Sequence, residues 1–380
     1  MRIDGKGNIE QLESGSWRVR LSAGKDPITG KSRRPSRVVR GTKADARRAL
    51  EEMRRELETG ISIDSKDLTF GQWADTFHKR RVAAGEVTKA TLRDERYGLD
   101  KLTPYLHDVR LLDIKPSTVE NLHVKLIADH PQLSGTSRRK VHVILRHVLQ
   151  GAVRSGILPA NPCTDVKAPK VDEPNRKSLT RIELKTLMLK LNTSESLDAR
   201  SAGIRIAAAT GCRLGEVLGL VWANVDFKRN SIFICQQYTK FDSLAAPKST
   251  AGTRRLAVDA HTMDYLQVWK KEQKNYLSWL GTSQTENTPV VTNDKGGFHD
   301  PRGYDRWWRT QRQKLGFPDL TIHELRHTQA TLLLGSGVDI VTVARRLGHA
   351  DVKMTLNTYA HAIPENDGVA ADTISGIYTE

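Results

Sequence analysis

Between Pro159 and Ser178 the chain carries Asn161-Pro162, Ala168-Pro169 and Glu173-Pro174, set among lysines, aspartates and asparagines. Each proline drives the residue before it out of the helical region and has no N–H to give to a sheet ladder. Neither a helix nor a central strand runs through such a stretch, so it reads as an extended linker and divides the chain. A length of 380 residues also calls for more than one core. The expected domains are 1–60, 66–160 and 175–380.

The first is expected to be a small sheet covered by a helix. Trp17, Val19 and Leu21 alternate with Arg18 and Arg20, which gives a strand one apolar and one basic face. A turn with Gly24, Asp26, Pro27 and Gly30 leads to a second basic segment holding Arg33, Arg34, Arg37 and Arg40. Thr42 and Asp45 read as a helix start, followed by the stripe Ala46, Ala49, Leu50, Met53 and Leu57. Outward arginines on two strands suit a DNA major groove, so Arg18, Arg20, Arg33, Arg34 and Arg37 are candidate DNA-binding residues. The plainer reading is a solvated sheet face.

From Thr69 to Gly156 the pattern is helical. Thr69 with Gln72 makes a capping box, Pro116 suits a first turn, and Val141, Ile144, Leu145, Val148 and Ala152 form a buried stripe. The third domain opens on a capping box at Thr180 and Glu183 and is mostly helical. Its exception is an insert with strand candidates at Ser231–Tyr238 and Arg254–Val258 around a turn containing Pro247 and Lys248. The fold class is therefore multidomain and mainly α, with small β elements.

Composition narrows the partners. Sixty basic against 44 acidic side chains leave a net charge of +16, which fits a polyanion. Cys163, Cys212 and Cys235 are odd in number and form no C-x-x-C pair, which argues against a disulfide framework or a cysteine zinc knuckle. No signal-peptide core and no apolar run of about 18 residues is present. The expectation is a cytoplasmic protein of the host cell, away from membranes.

Four segments of the third domain carry candidate chemistry. Thr210-Gly211-Cys212-Arg213-Leu214-Gly215-Glu216 puts Arg213 at a break between helices. Lys248 stands near a hairpin tip. Thr321-Ile322-His323-Glu324-Leu325-Arg326-His327 places His323 and Arg326 in the first turn of a helix, where anions are favoured. Leu347-Gly348-His349 ends a helix, and Tyr359 follows ten residues after His349.

His323 and His327 with Glu324 also match H-E-x-x-H, a zinc-hydrolase pattern. Ala330 stands where the longer metzincin pattern needs glycine, no glutamate lies between Glu324 and Glu365, and Arg326 would sit beside a divalent cation. Phosphoryl transfer uses more of the residues present. Arginine forks stabilise charge on the nonbridging oxygens, a lysine or histidine protonates the leaving oxygen, and a tyrosine can form the covalent ester. Arg213, Lys248, His323, Arg326, His349 and Tyr359 supply these parts.

This ordered set, Thr-Gly-Cys-Arg-Leu-Gly-Glu, His-Glu-Leu-Arg-His and Leu-Gly-His with a tyrosine ten residues on, resembles the catalytic signature of the tyrosine recombinases, the phage integrase family. The resemblance covers about residues 175–365. The middle domain is similar to the family's helical core-binding (SAM-like) domain. The first is similar to its arm-binding domain, through Gly15-Ser16-Trp17-Arg18-Val19-Arg20 and Thr29-Gly30-Lys31. The resemblance implies a three-stranded N-terminal sheet and a DNA breaking-rejoining fold in the catalytic domain.

It further implies that Arg213 and Arg326 grip the scissile phosphate, Lys248 protonates the 5′-hydroxyl, and His323 assists proton transfer at the nucleophile. His349 would bond the phosphate, Tyr359 would form a 3′-phosphotyrosyl link, and Glu216 would position its neighbours. Lys240 competes with Lys248, and Tyr304 and Tyr378 are the alternative nucleophiles. No cofactor or metal is implied. The implied partners are double-stranded DNA at core and arm sites, a homotetramer on that DNA, and a directionality factor or DNA-bending host protein. The implied function is site-specific integration or excision of a phage or mobile element, with the tail after His361 docking on a neighbouring subunit. A type IB topoisomerase, a non-catalytic DNA-binding regulator and a zinc hydrolase are the competing readings.

Overall fold

The computed structural model describes residues 7–25, 30–58, 67–171, 177–192, 197–239, 241, 243–247 and 249–362, with the side chains of 55–58 and 361 left aside. The chain divides into two compact units between Pro174 and Asn175.

In the first unit, β1 (Gly7–Gln11), β2 (Trp17–Leu21) and β3 (Ser36–Val39) form an antiparallel sheet in that order. Helix α1 (Lys43–Glu58) covers it, started by the Thr42–Asp45 exchange of hydrogen bonds. Val19 and Leu21 meet Ala46, Ala49, Leu50 and Met53 in a small core; Leu57 lies outside the described side chains. Arg18 stands opposite Glu10 and Val38, and Arg20 opposite Asn8 and Ser36, so both project from the face away from α1. Arg37 differs from the expectation. It opposes Val19, on the helix side of the sheet, and pairs with Glu52 of α1 at 3.7 Å. Strand alternation puts it there, because it is one residue out of step with Ser36 and Val38. Arg33 and Arg34 precede β3 and are exposed.

Four helices follow: α2 (Phe70–Ala84), α3 (Lys89–Leu106), α4 (Pro116–Asp129) and α5 (Gly135–Arg154). The Thr69–Gln72 capping box opens α2, and Pro116 is the first residue of α4. Leu102, Leu145, Val148 and Leu149 are fully enclosed, and the Trp73 indole donates to the Val148 carbonyl at 2.9 Å. Helices α3 and α5 approach so closely at Gly98 that a Cβ there would stand 2.4 Å from Ile144.

The expected linker is only partly free. Cys163 and Val166 are buried in the helical core. The buried Asn161 amide donates to the Arg146 carbonyl at 2.9 Å, and its oxygen accepts from the Cys163 N–H at 3.0 Å. Among the described residues the prolines keep the segment out of helix and sheet, but a side-chain amide and apolar residues between them fasten it to α5.

The second unit opens with α6 (Arg181–Lys190), α7 (Ala199–Thr210) and α8 (Leu214–Leu218). Strands β4 (Val225–Asp226) and β5 (Ser231–Ile234) come next, followed by a hairpin of β6 (Gln237–Tyr238) and β7 (Leu244–Ala245). Strand β8 (Arg254–Ala257) completes a sheet of order β4-β5-β8. The single strand expected over Ser231–Tyr238 is thus split. Gly219 comes so close to Gln237 that a Cβ would lie 2.9 Å from its backbone, and the Gln236 amide is bound to the Gly219 carbonyl, drawing the chain off the sheet. Helices α9 (Ala260–Trp279), α10 (Pro301–Lys314), α11 (Ile322–Leu334), α12 (Ile340–Leu347) and α13 (Val352–Tyr359) complete the unit. Trp222, Leu266, Tyr304 and Trp308 anchor its core. No described helix is long and apolar enough to cross a membrane.

Asn161→Ala would leave the buried Cys163 N–H unpaired and release the segment from the Arg146 carbonyl, costing about 1–3 kcal/mol. Faster amide hydrogen exchange at the C-terminal end of α5 is the expected readout.

Candidate active site

The site forms where α7 ends. Gly211 terminates that helix in the left-handed conformation, with φ 68°. The last carbonyls of α7 and of its cap are then taken by side chains from elsewhere. Arg326 on α11 donates to the Gly211 carbonyl at 2.9 Å, and Arg346 on α12 donates to the Ala209 carbonyl at 3.0 Å. Cations at a helix C-terminus are favoured by its dipole. Two arginines are fixed in this way by backbone they would otherwise leave unsatisfied.

Arg213 is the N-cap of α8. Its N–H donates to Glu216 at 3.0 Å and its guanidinium to the same carboxylate at 2.9 Å. Glu216 is buried and also accepts from Arg254 of β8 at 2.9 Å. Burial pushes the Glu216 carboxyl up, but the Arg254 and Arg213 guanidiniums outweigh it and hold the group below the usual carboxylate range. Arg254 is itself buried and donates to the Arg346 carbonyl at 2.7 Å. Gly348 packs on this guanidinium; a Cβ there would stand 2.8 Å from Arg254 and would sit at φ 68°.

Arg326 is enclosed, yet its Nη2 is a buried donor with no hydrogen-bond partner. Burial first, and the neighbouring Arg213 second, lower its pKa to about 10, so it remains charged at neutral pH. His349 follows Gly348, with its Nδ1 2.7 Å from the Thr355 hydroxyl. Burial, then Arg326, Arg213 and Arg254, lower its pKa to about 4, which keeps the ring neutral. Arg213, Arg254, Arg326 and His349 therefore surround one place with a surplus of positive charge.

Tyr359 ends α13, its ring in a cluster with Ala330, Leu334, Val343 and Leu347. Its hydroxyl meets Nδ1 of His327. His323 is exposed and lies edge-on to the His327 ring, with centroids 4.6 Å apart at 85°. Glu324 does not face this pair; its carboxylate accepts from the Thr321 N–H at 2.5 Å and closes the expected capping box. The base that a zinc hydrolase would require is spent on the helix start.

Among the other expected residues, Tyr304 is far from exposed. Its hydroxyl is bonded to the Arg200 carbonyl at 2.5 Å, and burial raises its pKa well above the ordinary value. Lys248, Lys240, Tyr378 and the tail beyond Ala362 lie outside the described residues. Two residues were missed by the sequence reasoning. Arg254 shares a strand face with the buried Leu256, so period-two alternation points it inward. His327 was weighed only as a metal ligand, although one position beyond Arg326 on a helix turns a side chain by only about 100°.

Residues 177–366, half of the chain, match the model described as the phage integrase family. The ICEBs1 integrase of Bacillus subtilis (strain 168) is 26% identical over 97% of this chain and 100% of its own length. The transposase from transposon Tn916 of Enterococcus faecalis is 24% identical over 83% of this chain and 80% of its own. Among solved structures, the Tn1549 transposon integrase in complex with transposon right end DNA has a TM-score of 0.67 at 19% identity, covering 81% of this chain and 99% of that one. A lambda integrase dimer bound to a COC′ core site has a TM-score of 0.56 at 16% identity, covering 94% and 95%. These likenesses carry the fold, sheet-plus-helix N-terminus included. The chain belongs to the phage integrase family, the tyrosine recombinases, which break and rejoin DNA in site-specific recombination.

Proposed function

We propose that the chain integrates or excises a mobile element through a 3′-phosphotyrosyl bond to Tyr359, without a metal. The observation that carries this reading is the unpartnered Nη2 of Arg326, a buried cationic donor beside Arg213, His349 and the Tyr359 phenol. A buried donor left unpaired costs roughly 1–3 kcal/mol, and a nonbridging phosphate oxygen would satisfy it. Arg213 and Arg326 then hold the scissile phosphate, and neutral His349 adds a hydrogen bond. Glu216 orients Arg213 without reacting. His323 assists proton transfer around the nucleophile, and Lys248, with Lys240 as its competitor, protonates the departing 5′-oxygen.

The domain reading belongs to the same proposal. Residues 1–60 hold arm sites through Arg18, Arg20, Arg33 and Arg34 on or beside the outward sheet face, with Arg37 held back against α1. Residues 66–160 grip the core site and 175–380 cut it. The lambda integrase tetramer bound to a Holliday junction, at a TM-score of 0.54, supports a homotetramer as the working form. A directionality factor or DNA-bending host protein completes the set of partners.

A nicked suicide substrate carrying the attachment site should trap a covalent adduct with the wild-type chain in the presence of a metal chelator. Tyr359→Phe should give none, and Arg326→Ala should slow its formation by about 10²–10³-fold. An adduct that survives Tyr359→Phe sinks the nucleophile assignment. The His349 ring should titrate near pH 4 by NMR. Because the unfolded ring takes its proton near pH 6.5 and the folded ring resists it, this residue's contribution to stability should fall as pH drops through that window. A melting-temperature series against His349→Gln checks the sign. Deleting residues 1–60 should abolish arm-site binding in a gel shift and leave core-site cleavage intact; arm binding that persists refutes the N-terminal assignment.

A further inference from the structure

The Tyr359 hydroxyl lies against an imidazole nitrogen in the structure. His327 is buried on α11 with Nδ1 against the Tyr359 hydroxyl, and the two rings are 5.4 Å apart at 54°. His323, one turn earlier, is exposed and touches the His327 ring edge-on. A phenol with a reference pKa of about 10 is a poor nucleophile near neutrality until its proton leaves. Arg326, which lies within electrostatic reach of the phenol, has no lone pair to accept that proton. An imidazole nitrogen without its proton does, and His327 Nδ1 already lies against the hydroxyl.

We infer that His327 is the proton acceptor for Tyr359 during strand cleavage. The inference rests on Tyr359 being the nucleophile. As the bond from Tyr359 Oη to phosphorus forms and the bond from phosphorus to the 5′-oxygen breaks, the phenolic proton passes to His327 Nδ1. The 5′-oxygen takes a separate proton from the general acid assigned to Lys248. Rejoining runs the same transfers backwards, with His327 returning the proton to the departing phenol. Consecutive positions on one helix thereby serve the two reacting groups: Arg326 the phosphate, His327 the attacking oxygen.

The test uses the full chain and the nicked suicide substrate under single-turnover conditions. His327→Asn keeps a hydrogen-bonding group near Nδ1 but accepts no proton. Adduct formation should slow by about 10²-fold or more, with gel-shift binding and melting temperature close to wild type. Placing 3,5-difluorotyrosine, a more readily ionised phenol, at position 359 should recover about tenfold or more of that loss. A 5′-bridging phosphorothiolate, whose sulfur leaves without a proton, should recover none. Wild-type rates in His327→Asn overturn the inference, as does an equal defect with the fluorinated phenol, which would make the residue structural. Rescue by the sulfur leaving group also overturns it, by moving His327 to the other side of the reaction. Should the asparagine variant melt early, His327→Gln carries the same comparisons. Failure of the underlying reading looks different, since Tyr359→Phe would then still form the adduct whatever stands at 327.

Discussion

The carboxylate of Glu216 holds together side chains that would otherwise push apart. Arg213 and Arg254 both bond to it, Arg254 continues to the Arg346 carbonyl, and Arg326 lies within electrostatic reach of the group. Burying this carboxylate is tolerable because two guanidiniums and the Arg213 N–H donate to it at 2.9–3.0 Å. One negative charge does not balance the guanidiniums around it; burial first, and the neighbouring arginines after it, lower the pKa values of Arg326 and His349. The site is therefore complete around Glu216 and leaves the buried Arg326 Nη2 without a partner, where the proposed phosphate would sit. Removing the carboxylate would leave Arg254 buried and uncompensated, and α8 would lose its cap together with the orientation of Arg213.

The second dependence is on the way α7 stops. A helix that ends inside a protein must satisfy its last carbonyls, and here Arg326, Arg346 and Gln329 do so. These three side chains come from α11 and α12, so the same bonds that finish α7 dock the helices that bear the histidines. Gly211 and Gly348 make the geometry possible by taking left-handed turns at the two ends of the arrangement. Stability and site geometry share these bonds, and Arg326 is a structural member of the fold as well as the proposed phosphate ligand.

How much of this was legible in the sequence depends on whether a signal was local. Capping boxes at Thr69, Thr180 and Thr321, the helix stops at Gly211 and Gly348, and the alternation of β2 are written in neighbouring residues, and each was readable. The ordered motifs named Arg213, Arg326, His349 and Tyr359, and the structure brings these to one place. Partners distant in sequence were not legible. Nothing local says that Asn161 will reach α5, that the strand after Ile234 will be pulled away by Gly219, or that Arg254 will reach Glu216 across 38 positions. Arg37 was misjudged for the opposite reason: composition marked it as one basic residue among several, while strand parity had already placed it on the helix side.

The histidines show the same division at finer scale. His323 and His327 look equivalent in a linear motif, being one helical turn apart on the same face. Packing separates them. Helix α13 packs on α11 so that Tyr359 comes down on the buried member of the pair, and the exposed member meets the edge of its neighbour's ring. A proton acceptor is more effective where water does not compete for its lone pair, and a phenol already bonded to it has no reorganisation to undergo before attack. On those grounds the buried imidazole is better suited to activate Tyr359 than the solvent-facing one. The reason lies in the packing of two helices and in no residue of the motif itself.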